Sequence, residues 1–323
     1  VAVAGGSVRI ERSVFETNTA EYGGGLYAGA TVTLDHVEAT GNVATDGAGV
    51  YLIDTTLDAD ELLLSGNIAD AGGGIYADGS SLTVVHARVL ANTAGNGNGG
   101  GIELAASVVD VQASLFAGNV ASSGGAFHVG DGSAATLSNL TITENGSSGS
   151  AGGVRVTHEG ALTMLNTVIA WSTEGPGLSG KDGATLSVRY GDLWANVGGA
   201  VDSETADPTG TDGNLAVDPL FVAFTADGLG DDDLHLAPGS PLIDAGDPTL
   251  LDGDGSPSDI GAYGGPFGTT WDDGEDDTGD GDSGDRDTGD GGAKDGGCHC
   301  GNPGGSWLGG VWIGLLVTRR RRR

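Results

Sequence analysis

Six residues at matched positions carry side chains that could hold or transform a ligand: Tyr27, Tyr51, Tyr76, Glu103, His128 and Arg155. Each directly follows an apolar residue (Leu26, Val50, Ile75, Ile102, Phe127, Val154) that itself follows a small-residue, glycine-rich cluster. Neighbours in a strand point to opposite faces, so an inward apolar member puts its successor outward, in solvent. Tyrosine rings suit the faces of sugars, which makes Tyr27, Tyr51 and Tyr76 the candidate ligand-binding residues. Glu103, His128 and Arg155 could serve as acid–base groups on adjacent coils. The plainer alternative has the aromatics covering the sheet and the charges pairing along the column. The sequence favours that alternative, and with it no catalysis.

A second polar column, six residues before a recurring asparagine, reads Arg12, His36, Glu61, His86. Its alternating sign suits cross-strand pairing better than chemistry. Calcium is the one cofactor the sequence offers. Asp252, Asp254 and Ser256 have the alternate-residue oxygen spacing of a calcium loop, with Asp259 nearby. Tyr263 stands where the bidentate glutamate of such a loop belongs, so a metal-free acidic turn is the competing reading. The only cysteines, Cys298 and Cys300, flank His299 too closely for zinc and lack a fourth ligand. No nucleophile elbow and no phosphate loop is present.

The elements that position these residues come from an internal repeat. The glycine-rich cluster recurs before Leu26, Val50, Ile75, Ile102, Phe127 and Val154 at steps of 24, 25, 27, 25 and 27 residues. Asn18, Asn42, Asn67, Asn92, Asn119 and Asn145 keep the same beat, each three residues after an apolar Phe15, Ala39, Leu64, Val89, Phe116 or Ile142. Each repeat holds three short alternating runs, as at 81–85, 87–90 and 102–104, separated by Gly, Asn and Asp. Period two in runs this short reads as strand, and no 3.6-residue period appears. The predicted fold is all-β: a parallel β-helix with about 25 residues and three short strands per coil. In-register stacking puts the asparagines in a ladder. Val1-Ala2-Val3 with Gly5-Gly6 looks like the end of an earlier coil, so the first coil is expected to present an open edge.

Composition narrows the function classes. Glycine fills 63 of 323 positions, but in clusters rather than at every third residue, which excludes collagen. A formal charge of −32 repels phosphate backbones, so no nucleic-acid partner is expected. The chain starts at Val1 without a charged and apolar leader, which fits a removed signal peptide or a fragment.

The pairing of Gly-Gly-Gly-Ile-Tyr-like segments with Phe15-Glu16-Thr17-Asn18-Thr19-Ala20 resembles the repeats of polymorphic outer-membrane proteins. More broadly, the chain resembles right-handed parallel β-helix proteins of bacterial surfaces over about residues 1–195. The resemblance implies a right-handed coil and a place at the cell surface. It leaves function open, because adhesins, passenger domains and polysaccharide lyases share the scaffold.

Residues 196–268 break the period and read as the C-terminal cap region that protects the last coil's edge. Residues 269–297 form a linker expected to be disordered: eleven acidic groups fall within 271–297, opposed only by Arg286 and Lys294. Residues 298–323 combine Cys298-His299-Cys300, a short apolar run expected to be helical at 307–317 and five terminal arginines. The arginines match the positive-inside rule. This order resembles the MYXO-CTERM sorting tail of myxobacterial surface proteins, which implies processing or lipidation at Cys298 or Cys300 and anchoring through the membrane. The expectation is therefore an exported β-helix held at the cell surface or outer membrane, making adhesive or glycan contact without catalysis. The competing function is a polysaccharide lyase or glycoside hydrolase working in a groove on the coil face.

Overall fold

The computed structural model describes residues 1–225 and 232–268. They form an all-β parallel solenoid of about eight turns, without an α-helix among the described residues. The expected linker at 269–297 and tail at 298–323, with the 307–317 run, lie outside the described residues.

Three parallel sheets run along the stack. One contains eight short strands, including Leu26–Ala28, Val50–Ile53, Ile75–Asp78, Ile102–Ala105, Phe127–Gly130 and Val154–Val156. A second is built on ten-residue strands such as Ser7–Glu16, Thr31–Thr40, Thr56–Ser65, Val108–Ala117 and Ala134–Thr143. The third is narrow, with Ile68–Ala69, Thr93–Asn98, Val120–Ser123 and Gly146–Ser147. Strands of the first two sheets pair with the equivalents one coil away, in register, as Val50 with Ile75 or Leu34 with Ala59. The strands Ala2–Val3 and Ser7–Glu16 each pair on one side, so the first coil presents an edge carrying Arg9, Glu11 and Arg12.

The long strands depart from the three equal runs expected of each repeat. Two of those runs are arms of one strand, bent about a residue with positive φ: Arg12, His36, Glu61, Ala113 and Asn139. The left-handed residue turns the chain through a corner while pairing resumes on its far side. Around His86, Asn166 and Tyr190, also at positive φ, the break splits the arms, as into Ser81–Val85 and Arg88–Leu90.

The interior is thin and aliphatic. Leu26, Val50, Ile75, Ile102, Phe127 and Val154 point inward and are buried, opposite Val32, Leu57, Leu82, Val109, Ala135 and Leu162. The Phe116 and Phe127 rings, both fully buried, meet with centroids 4.3 Å apart.

The asparagine column is the main polar element inside. Oδ1 of Asn67 accepts from both the backbone N–H and Nδ2 of Asn42, each at 3.0 Å. Nδ2 of Asn67 donates to Ala39 O and Asn92 Oδ1, both at 2.8 Å. The same arrangement carries from Asn18 through Asn145. It breaks at Ser172, whose N–H donates to Asn196 Oδ1, and Asn196 Nδ2 again reaches a backbone carbonyl, that of Ile169.

The winding continues past residue 195, where Val201 bridges Leu178 and Leu215 bridges Asp192. After Leu215 the chain turns back along the outer face of the long-strand sheet. Gly261 N–H donates to Asn166 O, Ala262 N–H to Thr141 Oγ1, and Asn139 Nδ2 to Asp259 O. This flank segment ends beside His86, whose Nε2 lies 3.2 Å from Phe267 O. Small apolar clusters fasten it: Leu242 and Ile260 on Val168, and Leu234 and Ala262 on Leu115.

Candidate functional site

The candidate column is continuous. Tyr27 pairs with Tyr51, Tyr51 with Tyr76, Tyr76 with Glu103, Glu103 with His128, and His128 with Arg155. It runs two coils further than the sequence reading took it, to Ser179 and then Asp202, which follows the bridged Val201. Every member points away from the apolar core, as alternation requires.

Solvation is where the expectation fails. Tyr51 is 9% exposed, Glu103 and His128 7% each, and Arg155 9%. Part of the reason is the segment just before the glycine-rich corner, which brings side chains onto the column. Tyr22 leans on Tyr51 with ring centroids 5.1 Å apart, and Asn98 hydrogen-bonds Glu103. The tyrosine rings are also stacked on one another, 5.6 Å between Tyr27 and Tyr51 and 5.3 Å between Tyr51 and Tyr76, each pair within 7° of parallel. At that spacing the rings are offset-stacked and cover one another's faces. Their edges and hydroxyls remain outermost, so a sugar ring finds no open face on Tyr51.

Glu103 and His128 hold each other. His128 Nδ1 lies 3.1 Å from Glu103 Oε1, and Nε2 lies 3.3 Å from Thr157 Oγ1. Burial pushes the Glu103 carboxyl upward, and the His128 hydrogen bond offsets only part of that. Burial, reinforced by Glu103, also pushes the Tyr76 phenol up to about 12, so it stays protonated. A carboxyl–imidazole pair can pass a proton between its members, but this one is enclosed on both sides.

Arg155 belongs to a different group. Its Nη1 donates to Ser179 Oγ and lies 3.6 Å from Asp202 Oδ2. Asp202 is already well supplied: its oxygens accept from Ser179, the Thr205 hydroxyl and the backbone N–H groups of Glu204 and Thr205. Burial alone would raise this carboxyl, but those hydrogen bonds outweigh it and hold it below the usual range. Arg155 lies in a cleft of about 690 Å³ with Ser148, Ser150, Glu174, Lys181 and Asp202. Its wall is tight: a Cβ on Gly175, at φ +76°, would collide with the Ser150 carbonyl.

The second column pairs within itself at His36 and Glu61, while His86 turns to Asp60 beside the column. His36 Nε2 lies 2.5 Å from Glu61 and its Nδ1 2.5 Å from Asp35, while His86 Nδ1 lies 2.8 Å from Asp60. The hydrogen bond to Asp35 raises the His36 pKa, with Glu61 adding to it.

The acidic turn is occupied by its own backbone. Asp252 accepts from the N–H groups of Asp259 and Gly265, Asp254 from Ser256, and Asp259 from Asp244. Burial raises both Asp252 and Asp259. Among the described residues no group of three or more His, Cys, Asp or Glu is placed to hold a metal ion. Cys298 and Cys300 lie outside the described residues.

Compared with known proteins, the chain matches no family model, no curated protein and no solved structure. Sequence reasoning missed Ser179, Lys181 and Asp202. The signal for two of them was available, because Ser179 and Asp202 continue the column at steps of 24 and 23 residues.

Proposed function

We propose that this is an exported, right-handed β-solenoid that makes glycan or partner contact at the cell surface without catalysing a reaction. The observation that carries the reading is the enclosure of Glu103 and His128, each 7% exposed and spent on the other. A lyase or hydrolase needs its acid and base within reach of the substrate. Here Glu103 and His128 are engaged with each other inside the fold, while polar side chains and an open cleft with Arg155 remain on the flank. The right hand of the coil follows from strand twist, which makes parallel crossovers right-handed in nearly all sheets. The resemblance of the tail supports anchoring through the membrane, with Cys298 or Cys300 as the processed residue. Calcium at Asp252, Asp254, Ser256 and Asp259 would be a clamp on the acidic turn, away from the contact surface.

A glycan array on the full chain, coupled to an assay for released reducing ends and unsaturated sugars, tests this reading. Retention of a glycan with no product is the expected result. Turnover that disappears in Glu103→Gln would overturn it in favour of a lyase or hydrolase.

A further inference from the structure

The residues between 1 and 268 include only six lysines and arginines: Arg9, Arg12, Arg88, Arg155, Lys181 and Arg189. Two of the six line the same cleft. Arg155 is 9% exposed, and its Nε, buried within the cleft wall, has no acceptor in the protein. A buried guanidinium that leaves a donor unused is costly, and beside an open cleft a bound ligand is one way to recover that cost. Asp202 answers only in part, since its oxygens are shared among four other donors and the closest approach is 3.6 Å. Lys181, on the rim and 34% exposed, is 3.1 Å from the exposed Glu204, and a pair open to solvent in this way is weak. Lys181 can therefore turn to a ligand at little cost. The remaining lining is hydroxyl-rich, with Ser147, Ser148, Ser150 and Thr173.

We infer that this cleft is a subsite for a carboxylated sugar, a hexuronate unit whose carboxylate meets Arg155 and Lys181. The planar guanidinium matches a carboxylate in two parallel hydrogen bonds. The serines and Thr173 would take the ring hydroxyls, with Glu174 accepting from one of them. The size also fits, since about 690 Å³ accommodates one or two sugar units. Net charge limits the ligand further. A body this acidic repels a long polyanion over about one Debye length, 8–10 Å, so an isolated uronate in an otherwise neutral chain is favoured over a polyuronate. The inference rests on the glycan-contact reading and gives it a substrate class and an anchor.

The test is calorimetric titration of the full chain with three short oligosaccharides: one carrying a single hexuronate, its neutral hexose counterpart and a singly sulfated counterpart. The wild-type protein should bind the uronate form best. Lys181→Glu, a rim change that leaves the buried pairs alone, should weaken that binding about tenfold or more. Arg155→Gln should abolish it, and Lys181→Glu keeps the test decisive if Arg155→Gln does not fold. Equal binding of the neutral form, untouched by Lys181→Glu, would overturn the inference and leave the glycan reading standing. Equal binding of the sulfated form would overturn the assignment to carboxylate. Binding of none of the three here, and of no glycan on the array, would sink both.

Discussion

Removing one asparagine from the middle of the ladder should cost far more than removing the one at its end. In Asn67→Ala the two Asn42 donors lose their acceptor and Ala39 O loses its donor, all in a buried environment. Asn42 cannot swing to recover them, because its own Oδ1 holds the N–H and Nδ2 of Asn18. A buried polar group left unpaired costs about 1–3 kcal/mol, so three of them predict a loss of about 3–5 kcal/mol after partial relaxation. Asn18 is exposed, and Asn18→Ala leaves Asn42 Oδ1 still accepting the backbone N–H of residue 18. That change should cost under about 1 kcal/mol. Urea unfolding of both variants gives the free energies, and native-state hydrogen exchange should show the Asn42 amide opening faster only in Asn67→Ala. Equal losses in the two variants, or protection of Asn42 unchanged, would refute the ladder as a source of stability.

Asp192 is fully buried, with Oδ1 accepting from Val217 N–H and Oδ2 unpaired, and burial pushes its carboxyl up to about 7. Because the folded state holds this proton more tightly than the unfolded chain, stability should fall as pH rises from about 4 to 7. The rise from 3.8 to about 7 corresponds to about 4 kcal/mol against the ionised form. Asp192→Asn should therefore be stabilising by about 1–3 kcal/mol at pH 8, after the cost of a buried amide, and not at pH 4; a pH-independent difference in melting would contradict this. Gly72 and Gly66 both have φ near +60°, but a Cβ at Gly72 would meet Ile75 O at 2.6 Å while one at Gly66 meets nothing. Gly66→Ala should cost about 1 kcal/mol and Gly72→Ala at least twice that by thermal melting; the reverse order would show that the glycine corner is not held by close approach. Deleting 298–323 should leave the melting temperature unchanged and release the protein into the medium, and retention on the cell would show the tail misread.

The solenoid was legible because two columns, glycine-apolar and asparagine, keep phase over six repeats. Where a column changes residue type, legibility ends. Ser172 hides the ladder's resumption at Asn196, although the step between them is again 24 residues. The second column is recognisable in the sequence only over Arg12, His36, Glu61 and His86. Its continuation through Ala113, Asn139 and Asn166 trades charge for methyl and amide, which is the mark of the flank segment lying on those coils. Burial of Glu103 and His128 left no such mark. It depends on Asn98 and its neighbours in the third sheet, whose strands are short and carry little alternation of their own.

In a solenoid each coil touches only its neighbours, so a regular stretch gives a ligand nothing but a flat ladder of side chains. Along this column the ladder closes on itself, tyrosine on tyrosine and then Glu103 on His128. The cleft opens where regularity stops. The third sheet ends at Gly146–Ser147, reaching the next coil through the single Gly146–Glu174 bridge. At the same level the asparagine ladder is interrupted: Asn145 Nδ2, with Ser172 opposite, keeps the regular bond to Phe116 O and turns its other hydrogen back to Thr143 O. The segments around Ser148 and Gly175 line the cleft with Arg155 while keeping backbone hydrogen bonds to the adjacent coils, Ser148 N–H to Ala121 O and Gly198 N–H to Gly175 O. The guanidinium gives one donor to Ser179 and leaves its Nε without an acceptor in the protein. The cleft and the unused Nε donor both lie where the repeat loses its regularity, so binding is expected at the seam and not along the regular face.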